Sequence, residues 1–360
     1  MDVSGWDVLP TEDTLGRRVQ RLTDPLVGGI PAGRCALSQA WATVSRMDVV
    51  DWLLDSDPAI RWQVLSDLRD APPEQIAAER ARIPHEGWGA TLLAEQAEDG
   101  LWDGGTYRPG WIPPERDGFD AWSATHFTLQ QLVDFGLDPG SPEARRAVDR
   151  VRENVRWEHA GEPYFEGETE PCINGVTLTI AAYFGQGGDP IARTLVESRL
   201  GDGGWNCWAE YGARVSSYHS TICAVEGLRA WERAGGADAQ VAEVAAAGEE
   251  YLLERGLFRR RSDGSIPDPR MTMLSYPVRW YHDVLRGLEH FRLQDRRDPR
   301  LAEAVELVRG KADADGRWVL ENLHEGSVIV EFEMEGFPSQ WTTLRALRVL
   351  RWWDGQRVTA

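Results

Sequence analysis

The sequence predicts an all-α protein, an (α/α)6 toroid built from about six helical hairpins. One pattern of residues opens six separate apolar runs, and a second pattern marks tight turns between such runs. No segment alternates apolar and polar residues over the length of a strand, so the periodicity indicates helices alone. The composition, 42% hydrophobic and 27% charged, is that of a globular chain.

The first pattern is a helix start that begins with Pro or Ser. It occurs at residues 58, 123, 171, 216, 277 and 338. Proline suits the first helical turn and serine suits an N-cap. The intervals leave room for two helices and two loops, which predicts a repeating helical hairpin. A toroid would place near its inner rim Arg61, His126, Asn174, His219, Trp280 with His282, and Trp341.

The second pattern is an Asp-Gly-x-Trp turn, which ends at Trp102, Trp205 and Trp318. Glycine allows the tight turn because it accepts a positive φ. We expect each tryptophan to be buried between neighbouring helices. The chain has 17 tryptophans, which favours either thick helix–helix contacts or an aromatic-lined cavity.

The domain prediction divides the chain after residue 45. Residues 1–45 contain several prolines and glycines without periodicity, and we expect an irregular N-terminal extension there. Residues 46–360 should form a single toroid domain. The sequence shows no signal peptide and no apolar stretch long enough to cross a bilayer, and its four cysteines form no CxxC pair. We therefore expect a cytoplasmic protein with reduced thiols and no transmembrane segment.

The net charge of −19 restricts the partners. It argues against nucleic acid, whose binding depends on neutralising phosphates with Lys and Arg. An anionic substrate would need a local basic patch that acts against the overall field.

Two motifs resemble those of known toroid families. The segment from Gln96 to Trp102 resembles the Gln-Trp repeat of triterpene cyclases. The segment Tyr218–Leu228, with His219 and Cys223, resembles the one that supplies the zinc-binding histidine in protein prenyltransferase β subunits. From about Met47 onward, the chain also resembles uncharacterised bacterial proteins labelled squalene cyclase-like or prenyltransferase-like.

The prenyltransferase resemblance implies a zinc site. It places Glu170, Cys172 and His219 at the positions of that family's Asp, Cys and His ligands. A thiolate at the start of the helix beginning at Pro171 should have a lowered pKa. One carboxylate, one thiolate and one imidazole form a three-ligand zinc set with an open position, which is the catalytic arrangement. The alternative is a buried cysteine and a hydrogen-bonded histidine without metal.

Cys207, twelve residues before His219, could close the site as a fourth ligand. A Cys, Cys, His set resembles that of the lanthionine cyclases, whose Cys-His-Gly motif this chain lacks. Other family features are also missing. The chain lacks the Asp-x-Asp-Asp acid of squalene–hopene cyclases and an Asp-Asp-x-x-Asp magnesium motif. Residues 162–169 are acidic where prenyltransferases carry diphosphate-binding Arg and Lys, so a diphosphate there would be repelled.

Four residues are candidates for proton transfer. His282 and Asp283 are adjacent and could form an acid–base unit, although a structural salt bridge is the alternative. His126 begins one of the repeated helices, and Tyr107 lies in a loop expected to overhang the cavity.

The function expected from these features is that of a zinc-dependent transferase or cyclase. It would act on a small hydrophobic or thiol-bearing substrate in a central aromatic-lined cavity. Two alternatives stay open. One is a metal-independent terpenoid cyclase, in which Trp and Tyr faces stabilise carbocations. The other is a non-catalytic toroid that binds a lipid or a protein partner and holds a structural zinc.

Overall fold

The computed structural model describes residues 48–113, 115–116, 121–236 and 238–355. These residues form thirteen helices and one two-stranded pairing, which confirms the all-α class. The helices are α1 Val49–Leu54, α2 Pro58–Asp67, α3 Pro73–Arg80, α4 Gly87–Ala94, α5 Thr125–Phe135, α6 Pro142–Asn154, α7 Pro171–Tyr183, α8 Asp189–Glu197, α9 Tyr218–Arg233, α10 Ala239–Leu253, α11 Val284–Leu293, α12 Ala302–Arg309 and α13 Gln340–Asp354. The strands β1 Trp318–Val319 and β2 Pro338–Ser339 pair antiparallel.

Within the described ranges, no helix combines the length and the apolarity needed to cross a membrane. The predicted irregular extension over residues 1–45 lies outside the described residues. The division into an extension and one toroid domain therefore stays a prediction.

Five of the six predicted helix starts fall within two residues of an observed one. Pro58 and Pro171 are the first residues of their helices, while Ser217 and Ser339 are N-caps that accept a backbone N–H from the first turn. The start predicted at Pro277 is wrong, because α11 begins at Val284. Asp283 caps that helix by accepting from Arg286 N at 2.8 Å.

The three Asp-Gly-x-Trp turns repeat one set of contacts. Trp102, Trp205 and Trp318 are almost fully buried. Each indole Nε1 donates, at 2.6–2.7 Å, to a backbone carbonyl of the preceding helix, those of Leu92, Leu195 and Val308. Each tryptophan backbone N–H also donates to a threonine in the first turns of the next helix, namely Thr125, Thr221 and Thr343. Each tryptophan therefore joins the two helices on either side of its turn.

Six helices that include the three following these turns contact each other in a closed order. α2 contacts α5, α5 contacts α7, and α7 contacts α9. An ion pair of 2.6 Å between Arg286 and Glu226 joins α11 to α9. α13 contacts both α11 and α2, and Arg348 Nη1 donates to Gln63 Oε1 at 2.7 Å. A toroid would have this cyclic order of contacts, and the toroid arrangement itself stays a prediction.

The contact between α7 and α9 brings two backbones together. A Cβ atom on Gly175 would lie 2.2 Å from the carbonyl oxygen of Cys223. A Cβ atom on Gly227 would lie 2.4 Å from the carbonyl oxygen of Gly175. Only glycine allows this approach, so these two residues set the distance between the two helices that border the candidate metal centre.

Candidate metal centre

Two short segments position the sulfur ligands. α7 begins at Pro171 with Glu170 as its N-cap residue, so Cys172 lies in the first turn of the helix. Cys207 is the first residue of a single 3-10 turn, Cys207–Ala209, which follows the turn at Trp205. The backbone N–H of Cys207 donates to Ser220 Oγ at 3.1 Å, which fixes this turn to the start of α9.

Glu170, Cys172 and Cys207 form the candidate metal cluster. One ligand atom from each lies within 4.8 Å of the other two. Cys207 Sγ lies 2.8 Å from Cys172 Sγ, and Cys172 Sγ lies 3.7 Å from Glu170 Oε2. Cys172 is buried, Cys207 is half-buried and Glu170 is exposed, so the cluster opens to solvent at its carboxylate. The donor types suit zinc, because thiolate is among the ligands that select this metal. With Zn–S distances of about 2.3 Å, tetrahedral ligation would require the two sulfur atoms to move apart to about 3.8 Å.

The position of Cys172 at a helix N-terminus predicted a lowered pKa for its thiol, but its surroundings raise that pKa. The close hydrogen-bonded contact with the Cys207 thiol and the burial of the side chain raise that pKa well above its ordinary value. These effects outweigh the helix dipole, so the thiol is protonated at neutral pH in the absence of metal. Binding of a metal would have to displace this proton.

His219 lies outside the cluster, which corrects the predicted ligand set. Its Nδ1 accepts from the backbone N–H of His282 at 2.8 Å, and its ring meets Trp280 and Tyr281 edge-on. The next residue, Ser220, is the one that contacts Cys207, with its Oγ 3.2 Å from the Sγ. Neighbouring residues on an α-helix point about 100° apart, so α9 presents Ser220 to the cluster and His219 elsewhere.

His282 and Asp283 do not form the predicted acid–base unit. Both carboxylate oxygens of Asp283 accept backbone N–H groups, from Arg286 at 2.8 Å and from Ser275 at 3.1 Å. His282 donates through Nε2 to the carbonyl of Leu257 at 2.7 Å. Burial lowers the pKa of His282 to about 3, so the ring is neutral at physiological pH. Asp283 caps a helix, and His282 anchors a loop.

His126 and Tyr107 lie together, and one of them is near the cluster. His126 Nδ1 is 3.1 Å from Tyr164 Oη, and burial lowers its pKa to about 3. The ring of Tyr107 packs 5.4 Å from that of His126. Burial raises the pKa of Tyr107 well above 10, and the charges of Cys172 and Glu170 raise it further. Of the four predicted proton carriers, Tyr107 is therefore the one whose pKa responds to the metal cluster.

Two further regions contain residues that the sequence analysis had not assigned. A cleft of about 10 Å³, enough for one water molecule, is lined by His219, Asp268, Arg270, Met271, Ser275, Tyr281, His282, Asn322 and His324. Phe332 packs among the rings of Trp88, Phe135 and Tyr276, with centroid distances of 5.3–6.2 Å. The aromatic residues expected around a cavity are thus present, but in this region they pack against each other.

The sequence analysis did not assign Ser220, and the one indication of its importance was its position directly after His219 at the start of α9. The sequence does not show which of these two side chains faces Cys207, because that depends on the rotation of α9.

Comparisons with known proteins identify no family. No family model matches the sequence, and no curated protein matches it. Two solved structures are weakly similar to this chain in fold. A protein from Actinoplanes is 17% identical with a TM-score of 0.42, over 83% of this chain and 90% of that one. The type II terpene cyclase MstE from Scytonema, in its apo form, is 14% identical with a TM-score of 0.39, over 82% of this chain and 86% of that one. Similarities this low assign neither a family nor an activity to the chain.

Proposed function

We propose that this chain is a zinc-dependent enzyme whose metal is held by Glu170, Cys172 and Cys207. The observation that carries the proposal is the convergence of these three ligand atoms within 4.8 Å of one another. The two cysteines lie 35 positions apart in the chain, so the tertiary fold, not a local motif, brings their sulfur atoms together.

The ligand set leaves one position of a tetrahedral metal for water or substrate. Bound zinc would supply Lewis acidity and would lower the pKa of a bound thiol or water. Glu170 lies on the exposed side of the cluster, so a substrate would approach there. Ser220 holds Cys207 through both its backbone N–H and its sulfur.

Tyr107 is the residue that we propose as hydrogen-bond donor to the substrate. Its hydroxyl is protonated at neutral pH, and its raised pKa makes it a weak acid, so it would stabilise a reacting oxygen or sulfur atom by a hydrogen bond and would not give up its proton. Its ring packs on Phe127 at 5.0 Å, so an apolar side chain lies beside this tyrosine. Apolar surroundings of the donor would suit the small hydrophobic or thiol-bearing substrate expected from the sequence.

A metal-independent cyclase is the second candidate function. It is favoured by the aromatic cluster around Phe332 together with Asp134 on α5, the carboxyl that the sequence analysis missed. Burial raises the pKa of Asp134 to about 6, so a fraction of this carboxyl is protonated near neutral pH. A substrate in this region would have to displace Phe332 from the rings around it. Activity that survives complete removal of metal would favour this candidate.

Metal analysis of four variants tests the zinc proposal. Purified wild type should contain about one zinc per chain, and X-ray absorption should show Zn–S distances of about 2.3 Å. Cys172→Ser and Cys207→Ser should each lose the metal, and Glu170→Gln should bind it more weakly. His219→Gln is the matched control, because the ring lies outside the cluster, and it should keep its zinc. Loss of zinc in His219→Gln with retention in Cys207→Ser would contradict the proposed ligand set.

A further inference from the structure

Four arginines surround an open cavity of about 310 Å³ where α11 and α13 end. They are Arg292, Arg297, Arg348 and Arg351, and Asp67 and Trp352 complete the wall. The whole chain carries a net charge of −19, so this concentration of cations acts against the overall field. None of these residues belongs to the candidate metal centre.

Two of the four arginines are engaged with partners in the fold. Arg348 donates to Glu289 through Nε and to Gln63 Oε1 at 2.7 Å. Arg351 donates to Asp70 Oδ2 at 2.5 Å and to the backbone carbonyl of Asp67. These contacts hold α13 against α2 and α11, and they account for the positions of two of the guanidinium groups.

The other two arginines are less well satisfied. The ion-pair partner of Arg292 is Glu289 Oε1, at 4.0 Å. The Nε of Arg292 has no acceptor among the described residues, but that atom is buried, so an anion in the open cavity would have to be bound by the terminal nitrogens. The ion-pair partner of Arg297 is Asp295 Oδ1, at 3.8 Å. Both distances are too long for a hydrogen bond. Two guanidinium groups on the cavity wall therefore retain donors that an oxyanion could use.

The carboxylates of Asp67 and Glu289 lie close to these arginines. Asp67, in the cavity wall, lies 3.6 Å from Arg348, so its charge is offset mainly there. Glu289 also accepts from Arg345 and Arg348, so it is shared among three arginines. The carbonyl ends of helices favour nearby cations, which helps to explain why arginines are found here. Burial lowers the pKa of Arg292, and repulsion from Arg348 lowers it further. A bound anion would relieve that repulsion.

We propose that this cavity binds a phosphate-type oxyanion, either free or as the phosphate group of a small organic molecule, through Arg292 and Arg297. The planar fork of a guanidinium group matches the oxygen spacing of a phosphate and donates two parallel hydrogen bonds. The volume lies at the lower end of the range of about 300–1,000 Å³ that is usual for small-molecule sites. The indole of Trp352, over which Arg297 lies at 5.8 Å, offers a flat surface to an organic group.

Calorimetric titration of the full chain with inorganic phosphate and with phenyl phosphate, at low ionic strength, tests the proposal. Both probes should bind, and sulfate should compete with them. Arg297→Gln should weaken binding by about tenfold or more, because it removes a charged donor pair. Its thermal melting without ligand should be unchanged, since the residue is half-exposed. Arg292→Gln should weaken binding by a similar factor.

Arg261→Gln is the matched control, because Arg261 is exposed and pairs with Glu254 at 2.9 Å away from the cavity. It should leave the affinity for phosphate unchanged. Equal affinity for the two probes would mean that the phosphate group alone is recognised, and tighter binding of phenyl phosphate would add a contact with Trp352. No heat of binding at about 10 mM phosphate, or the same affinity in Arg297→Gln, Arg292→Gln and wild type, would overturn the proposal.

Discussion

Replacement of Trp205 by alanine tests the role of the repeated turn in stability. The indole is fully buried, and its six-membered ring fills the space over Gly248 of α10, where an added Cβ would lie 2.7 Å from a ring carbon. Its Nε1 donates to Leu195 O at 2.7 Å. Truncation would leave a cavity between the helices and a carbonyl without its donor. We expect a loss of about 3–5 kcal/mol in the free energy of unfolding, the usual cost of removing a buried tryptophan.

Trp205→Phe separates the two contributions. Phenylalanine retains most of the packing but has no N–H to offer Leu195 O, so the expected loss is about 1–3 kcal/mol. Urea unfolding followed by circular dichroism gives both values. Trp208→Ala is the control, because that side chain is 54% exposed, and it should change stability by no more than about 0.5 kcal/mol. Near-wild-type stability in both Trp205 variants would show that the tryptophan does not join the helices.

Three further predictions concern the helix contact, the acid response and the metal. Gly175→Ala should lower the free energy of unfolding by about 1–3 kcal/mol, because the added Cβ would overlap Cys223 O. Gly201→Ala is the control and should be neutral, because the space around Gly201 is open. Equal unfolding midpoints for the two variants would contradict this prediction. Burial holds the pKa of His126 near 3, below its ordinary 6.5, so its contribution to stability is complete above pH 6.5 and is lost as the pH falls toward 3. His126→Asn should therefore flatten the fall in unfolding free energy between pH 5.5 and 4 by about 1.4 kcal/mol per pH unit. An unchanged slope in urea titrations would refute this. Zinc binding should release the proton of Cys172 at pH 7, as measured by pH-stat titration, and an affinity that does not rise with pH would argue against thiolate ligation.

The elements that the sequence predicted correctly depend on local interactions. Pro171 begins a helix because it needs no N–H partner there, and Ser339 caps one by accepting from Thr342 N. The turn before Trp205 requires a residue with positive φ, and Gly203 provides it with a φ of 102°. The start predicted at Pro277 was wrong because Arg279 has a φ of 55°, outside the helical region, and Asp283 then caps α11.

Which of the candidate ligands lie together was decided by the tertiary structure. The repeated Pro and Ser helix starts predict that Cys172 and His219 lie in first helical turns, and they do. These starts contain no information on the rotation of α9, which turns Ser220 toward Cys207 and His219 toward His282. That rotation follows from the close approach of Gly175 and Gly227, a contact between residues far apart in sequence.

The cavity surrounded by four arginines also could not be predicted from local sequence patterns. Arg292, Arg297, Arg348 and Arg351 occur in two separate stretches of an acidic chain, and no local pattern marks them as one site. They meet because α11 and α13 pack side by side and end at the same edge. Local chemistry thus determined where helices and turns begin, because caps and turns involve residues within a few positions of each other. Only the packing of distant helices decided which side chains share a site, because that choice depends on helix rotation and distance.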